Sequence, residues 1–171
     1  MVKSDRKIVE LSKTLSNEDN TAIVAAIELL RQEIPFEGAI SLLIANYDNS
    51  DDETIRKSIS GFMNDLKDQS VTGEVIAEIG KKWKNDTISM LVSSCWQSGL
   101  NYSEYSVPLA KAFLKGDYIT AIECLTVLEE SVEKIPAAQK TEVTELIKDN
   151  SFPIGNEKHI LALELLAILK R

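Results

Sequence analysis

The chain has 171 residues, of which 44% are hydrophobic and 27% charged, and its formal net charge is -8. The length suffices for one domain with a sizeable core, and the composition is that of a globular protein. The acidity disfavours a broad electrostatic grip on nucleic-acid phosphates or on an anionic membrane. Arg56-Lys57 and Lys81-Lys82 are adjacent basic pairs, each too small to argue otherwise. The opening MVKSDRKIVEL has no apolar core of a signal peptide. The longest apolar run, ILALELLAIL at 160–169, is interrupted by Glu164 and is too short to span a bilayer. The expectation is a cytoplasmic protein without a membrane partner.

Seven glycines and four prolines are few for this length and favour long helices over a turn-rich β fold. Apolar residues recur at helical spacing almost throughout. The pattern predicts helices over 5–15, 19–33, 36–47, 52–67, 72–84, 87–98, 104–115, 118–134, 137–149 and 157–170. Ser50-Asp51-Asp52-Glu53 reads as a capping box, with Ser50 accepting from the first turn and Glu53 reaching back. Pro35 and Pro136 suit first helical turns. Gly99 and Gly116 suit helix ends. Cys95 and Cys124 fall on apolar faces and read as packed, reduced thiols.

A repeat runs through these elements. AIELL (26–30), SISGF (58–62), LVSSC (91–95), AIECL (121–125) and ALELL (162–166) each carry one polar residue among apolar ones. The polar residues are Glu28, Ser60, Ser93, Glu123 and Glu164, at steps of 32, 33, 30 and 41. Ile34-Pro35 and Ile135-Pro136 lie 101 residues apart, about three such steps. A period between 20 and 50 residues marks a solenoid or array. Each period holds two helices, which cannot bury their apolar surface without neighbours.

The segment AISLLIANYDNSDDETIRKSISGF (39–62) resembles a HEAT repeat. Paired aliphatics fill a first helix, an acidic turn follows, and a second helix opens with Asp52, Ile55 and Arg56. Pairs near 72–98, 104–134 and 137–170 look like degenerate versions, with Ser89 and Thr120 after the aliphatics Ile88 and Ile119 where the motif has Arg. The resemblance implies an all-α fold: a right-handed α-α superhelix, or α-solenoid, of about five HEAT-like helix pairs. Residues 1–171 then form one domain, with an N-terminal capping helix in 1–17 and a C-terminal helix in 156–171. HEAT-like and armadillo-like arrays are mostly protein-binding scaffolds, with some enzymes and nucleic-acid binders among them.

The candidate chemical motifs are incomplete. Asp48, Ser50 and Asp52 have the one-three-five spacing of a calcium loop, but Glu53 stands where the turn needs Gly and Ile59 where a bidentate Glu is needed. His159 is the only histidine, so neither an HExxH zinc site nor the paired His ligands of HEAT-like metal oxygenases can form. His159 reads as a first-turn residue of the last helix. There is no Gly-rich phosphate loop and no GxSxG. No catalytic residue, cofactor or metal is assigned. Trp83, Trp96 and Tyr102 cluster in mid-chain, where aromatics could stack a base as in HEAT-like DNA glycosylases. The acidic marker residues oppose that reading, and the tryptophans read instead as packing between repeats.

On the helix predicted at 118–134, Ile119, Ala121, Ile122, Cys124, Leu125 and Leu128 cover most of the circumference. Such a helix is buried on several sides. Thr120, Glu123, Glu130 and Lys134 mark its wet strip. Aligned over the repeats, Glu28, Ser60, Ser93, Glu123 and Glu164 form an acidic, hydroxyl-rich stripe on the expected concave face. The leading expectation is a non-enzymatic scaffold that binds a partner protein or peptide there, with basic character favoured. One alternative is a HEAT-like DNA glycosylase or other nucleic-acid-acting module. Another is an assembly subunit that self-associates through its apolar C-terminal helix, in which only Glu164 is polar between Ile160 and Leu169.

Overall fold

A computed structural model describes residues 3–17, 19–33, 35–150 and 152–171. Among them are ten α-helices and no strand. They are α1 (Lys3–Leu15), α2 (Asn20–Leu30), α3 (Ala39–Asn49), α4 (Glu53–Asn64), α5 (Thr72–Ile79), α6 (Asn85–Gln97), α7 (Ser106–Lys115), α8 (Tyr118–Ser131), α9 (Ala137–Asp149) and α10 (Lys158–Ile168). Short 3-10 turns at Gln69–Val71, Ser103–Tyr105 and Val132–Lys134 fit at three junctions.

The helices pack in two rows. Odd-numbered helices touch odd-numbered neighbours, even touch even, and each odd helix also packs on the even helix that follows it. One buried cluster runs between the rows from Leu11 to Leu169, through Ile40, Ile59, Leu91, Leu109, Phe113, Leu128 and Leu165.

The sequence period has a direct structural counterpart. Hydrogen bonds between successive pairs join residues one step apart. In the even row, Asn20 Nδ2 donates to Asp52 at a separation of 32, Ser58 Oγ to Glu28 at 30, and Asn64 Nδ2 to Gln97 at 33. In the odd row, Asn46 Nδ2 donates to Leu15 O at 31, and Ser106 Oγ to Gln139 at 33. Gln69 and Asn101, 32 apart, exchange two bonds of 2.6 and 2.9 Å between loops. The last step is longer, and so are its ties: Lys158 reaches Gly116 O and Arg171 reaches Glu129, both 42 residues away. These two ties hold α8 and α10 side by side and pointing the same way. Residues about 42 apart therefore lie at similar height along the two helices.

Local expectations were corrected at three places. The α3 helix starts at Ala39, not 36, and Pro35 lies outside any helix. Gly38 has φ +86, which an α-helical residue cannot have, so the helix opens only after it. Asp52, rather than Ser50, is the N-cap of α4, with Oδ1 accepting from Thr54 N and Ile55 N. Ser50 Oγ instead accepts from Asp52 N, one turn earlier. Pro136 is the N-cap of α9 and lies just before its first turn. The acids of the calcium-like stretch have structural roles: Asp52 caps α4, and Asp48 accepts from Lys84 N and Thr87 Oγ1 at the start of α6.

Cys95 and Cys124 are free and fully buried. Burial pushes the Cys95 thiol up to about 12, and it pushes that of Cys124 higher still. Thiolate is the reactive form. Neither thiol is therefore expected to react with an aromatic disulfide reagent at pH 8 while the chain is folded. Both should react together once denaturant unfolds it; fast labelling of the native protein would contradict this burial.

Candidate functional site

The five marker residues lie on five successive even helices: Glu28 on α2, Ser60 on α4, Ser93 on α6, Glu123 on α8 and Glu164 on α10. Glu28 and Glu164 are exposed, and the other three are half-buried. They do not form a row of free carboxylates. Glu28 accepts from Arg31 Nη1 at 3.0 Å and from Ser58 Oγ at 2.9 Å. Arg31 also pairs with Asp65 on the next helix pair. Glu123 accepts from Trp96 Nε1 at 2.7 Å, tying α8 to α6. Ser93 Oγ accepts from Gln97 Nε2 at 2.7 Å. Ser60 and Glu164 make no hydrogen bond or ion pair with the described residues.

Ser93 and Glu123 come together in an open groove of about 730 Å³ whose lining also includes Lys84, Ser89, Met90 and Ile119. Trp96 is partly exposed at the rim between α6 and α8, while Trp83 is half-buried under Lys81. Tyr102 belongs to the core, at 1% exposure, and cannot stack an incoming base.

The wet strip of α8 differs from the expected one. Thr120 is buried at 1% exposure, whereas Ile119 and Ile122 are exposed at 60% and 38%. The helix is rotated so that Thr120 faces the odd row and two isoleucines face out. On the neighbouring α10, Ile160 and Leu163 are exposed at 66% and 52%. The outward surface of α8 and α10 thus holds four large aliphatic side chains, with Glu123 and Glu164 each following the second of its pair. Contiguous exposed apolar residues with a polar rim mark interaction surfaces.

Among the described residues, no group of three or more His, Cys, Asp or Glu side chains gathers to hold a metal ion. His159 sits in the first turn of α10, its Nδ1 2.7 Å from Phe152 O. No described helix is long and apolar enough to cross a membrane. No family model matches the chain, and no match is found among curated proteins.

Proposed function

We propose that the protein is a non-enzymatic scaffold, a HEAT-like right-handed stack of five helix pairs, that binds a partner through the outward face of its even helices. The observation that carries this reading is the exposure of Ile119 and Ile122 beside Glu123 on α8, and of Ile160 and Leu163 beside Glu164 on α10, on two helices that pack together. The partner it fits is a basic amphipathic helix, whose apolar side covers the four aliphatics while its cations meet the two glutamates.

The test is affinity capture from native lysate with three proteins: wild type, an Ile122→Asp/Leu163→Asp variant and a Glu123→Lys/Glu164→Lys variant. Each is first checked for unchanged helicity. The expected result is a protein held by wild type, lost by the aspartate variant and at least about tenfold weaker with the lysine variant, as buried anchors and charge reversal both require. Equal capture by all three would remove this face from the function.

Self-association through the last helix is a second reading, favoured by the exposure of Ile160 and Leu163. An isologous contact would set the Glu123 and Glu164 rows of two copies against each other, at an electrostatic cost. Sedimentation equilibrium across a wide concentration range decides it: a dimer abolished by Leu163→Asp supports this reading. A nucleic-acid role has less support, because these glutamates repel phosphate.

A further inference from the structure

On another part of the surface, the period of the chain assembles a charge cluster that no single segment contains. The α5 helix ends at Ile79, and the turn after it carries Lys81 and Lys82. One step later, α7 carries Lys111 and Lys115 on one face, four residues apart. All four lysines line a single cleft of about 480 Å³ between these elements, together with Asn85 and Thr120. Its apolar wall includes Ile76, Ile79 and Ile88. No carboxylate lines it, although the chain has 27 acidic and 19 basic residues.

Three of the four ammonium groups have no ion-pair partner among the described residues. Only Lys81 has one, through Glu78 Oε1 at 2.6 Å. Lys82, Lys111 and Lys115 are exposed and unneutralised. Like charges four residues apart on a helix repel, so the cluster costs stability as it stands. The Thr120 hydroxyl adds a second, independent observation. It is buried and has no hydrogen-bond partner, in a residue that lines the same cleft. Buried hydroxyls are normally satisfied.

We infer that this cleft binds a small organic anion: a multiply charged phosphate-like or polycarboxylate group joined to an apolar body. The charged group would sit among Lys82, Lys111 and Lys115, and the body would lie on Ile76, Ile79 and Ile88. The volume is that of a small-molecule site rather than of a macromolecular groove. The net charge of -8 also opposes the continuous cationic track that a nucleic-acid strand needs. The inference stands apart from the scaffold reading, since it concerns a different surface and different residues.

The test is a methyl NMR titration of the full chain with inorganic pyrophosphate, then with octyl phosphate below its critical micelle concentration, then with a thymidine oligonucleotide. The same titrations are repeated on a Lys82→Gln/Lys111→Gln/Lys115→Gln variant whose melting temperature is not lowered. Pyrophosphate is expected to shift the Ile76, Ile79 and Ile88 signals in a salt-sensitive manner. Octyl phosphate is expected to bind about tenfold more tightly than pyrophosphate, through burial of its chain. The variant should lose about tenfold or more in affinity for both. No shift at these isoleucines, or equal binding by the variant, would overturn the inference. So would an oligonucleotide that binds more tightly than either probe and shifts residues beyond the cleft.

Discussion

Replacing Lys158 by methionine is expected to destabilise the protein by about 3 kcal/mol. Lys158 is buried at 8% exposure in the first turn of α10, yet no carboxylate among the described residues forms an ion pair with it. Its Nζ donates to Phe113 O, Leu114 O and Gly116 O at 3.0, 2.8 and 2.8 Å. These are carbonyls at the C-terminal end of α7, where a helix has unsatisfied acceptors and the negative end of its dipole. The stem passes between aromatic rings, with Nζ 4.6 Å from the Phe152 ring centre and 6.0 Å from that of Phe113. Methionine keeps much of that packing and removes the ammonium, so the loss reports on its carbonyl hydrogen bonds and its cation–π contacts together. A fall of roughly 6–12 °C in melting temperature follows for a chain of this size. Burial holds the Lys158 pKa below its ordinary 10.5. The folded chain therefore releases this proton before the unfolded chain, and the Lys158 contribution to stability rises, not falls, between the two pKa values. A change below about 1 kcal/mol would show that water replaces the ammonium at little cost.

Lys158 also shows why part of this fold was hidden from the sequence. A lysine at a helix start reads as solvated, and only the long last step of 42–45 residues brings it under α7. What was legible was periodic. Ten helices follow from 3.6-residue spacing, because each row buries a consistent face. The 30–33 residue steps from Glu28 to Glu123 reappear as hydrogen bonds of the same separation. Facing was less legible where a helix is apolar all round. Nothing in YITAIECLTVLEES ranks Ile119 and Ile122 as less buried than Cys124 and Leu125; contacts with α6, α7 and α10 decide it. Thr120 was misplaced for the same reason, since a threonine fits either side of such a helix. The lysine cleft was hidden because its halves lie a period apart. Comparing charged residues at that period, Lys81 against Lys111 at 30, would have found it.

The Arg56→Ala variant is expected to lose about 2 kcal/mol, and Arg56→Lys most of the same amount, because a fork is required and not a charge alone. Arg56 is the residue on which the resemblance to a HEAT repeat rests most heavily, and its contacts explain why one residue holds two pairs together. Its guanidinium lies 4.0 Å from the centre of the Tyr47 ring. Nη1 donates to Tyr47 O at 3.0 Å and to Ser50 O at 3.4 Å, closing the C-terminal end of α3. Nη2 pairs with Asp86 at the start of α6, one step along the even row. The stacked and carbonyl-bound part is half-buried and supplies most of the effect. The Asp86 carboxylate is exposed, so Asp86→Ala should cost below about 1 kcal/mol. A double-mutant cycle by urea denaturation separates the two contributions. Coupling above about 1 kcal/mol would mean that Arg56 acts mainly as an ion-pair link between repeats. Coupling near zero, with Arg56→Ala still about 2 kcal/mol down, places its effect inside its own pair, where it clamps the turn from α3 into α4.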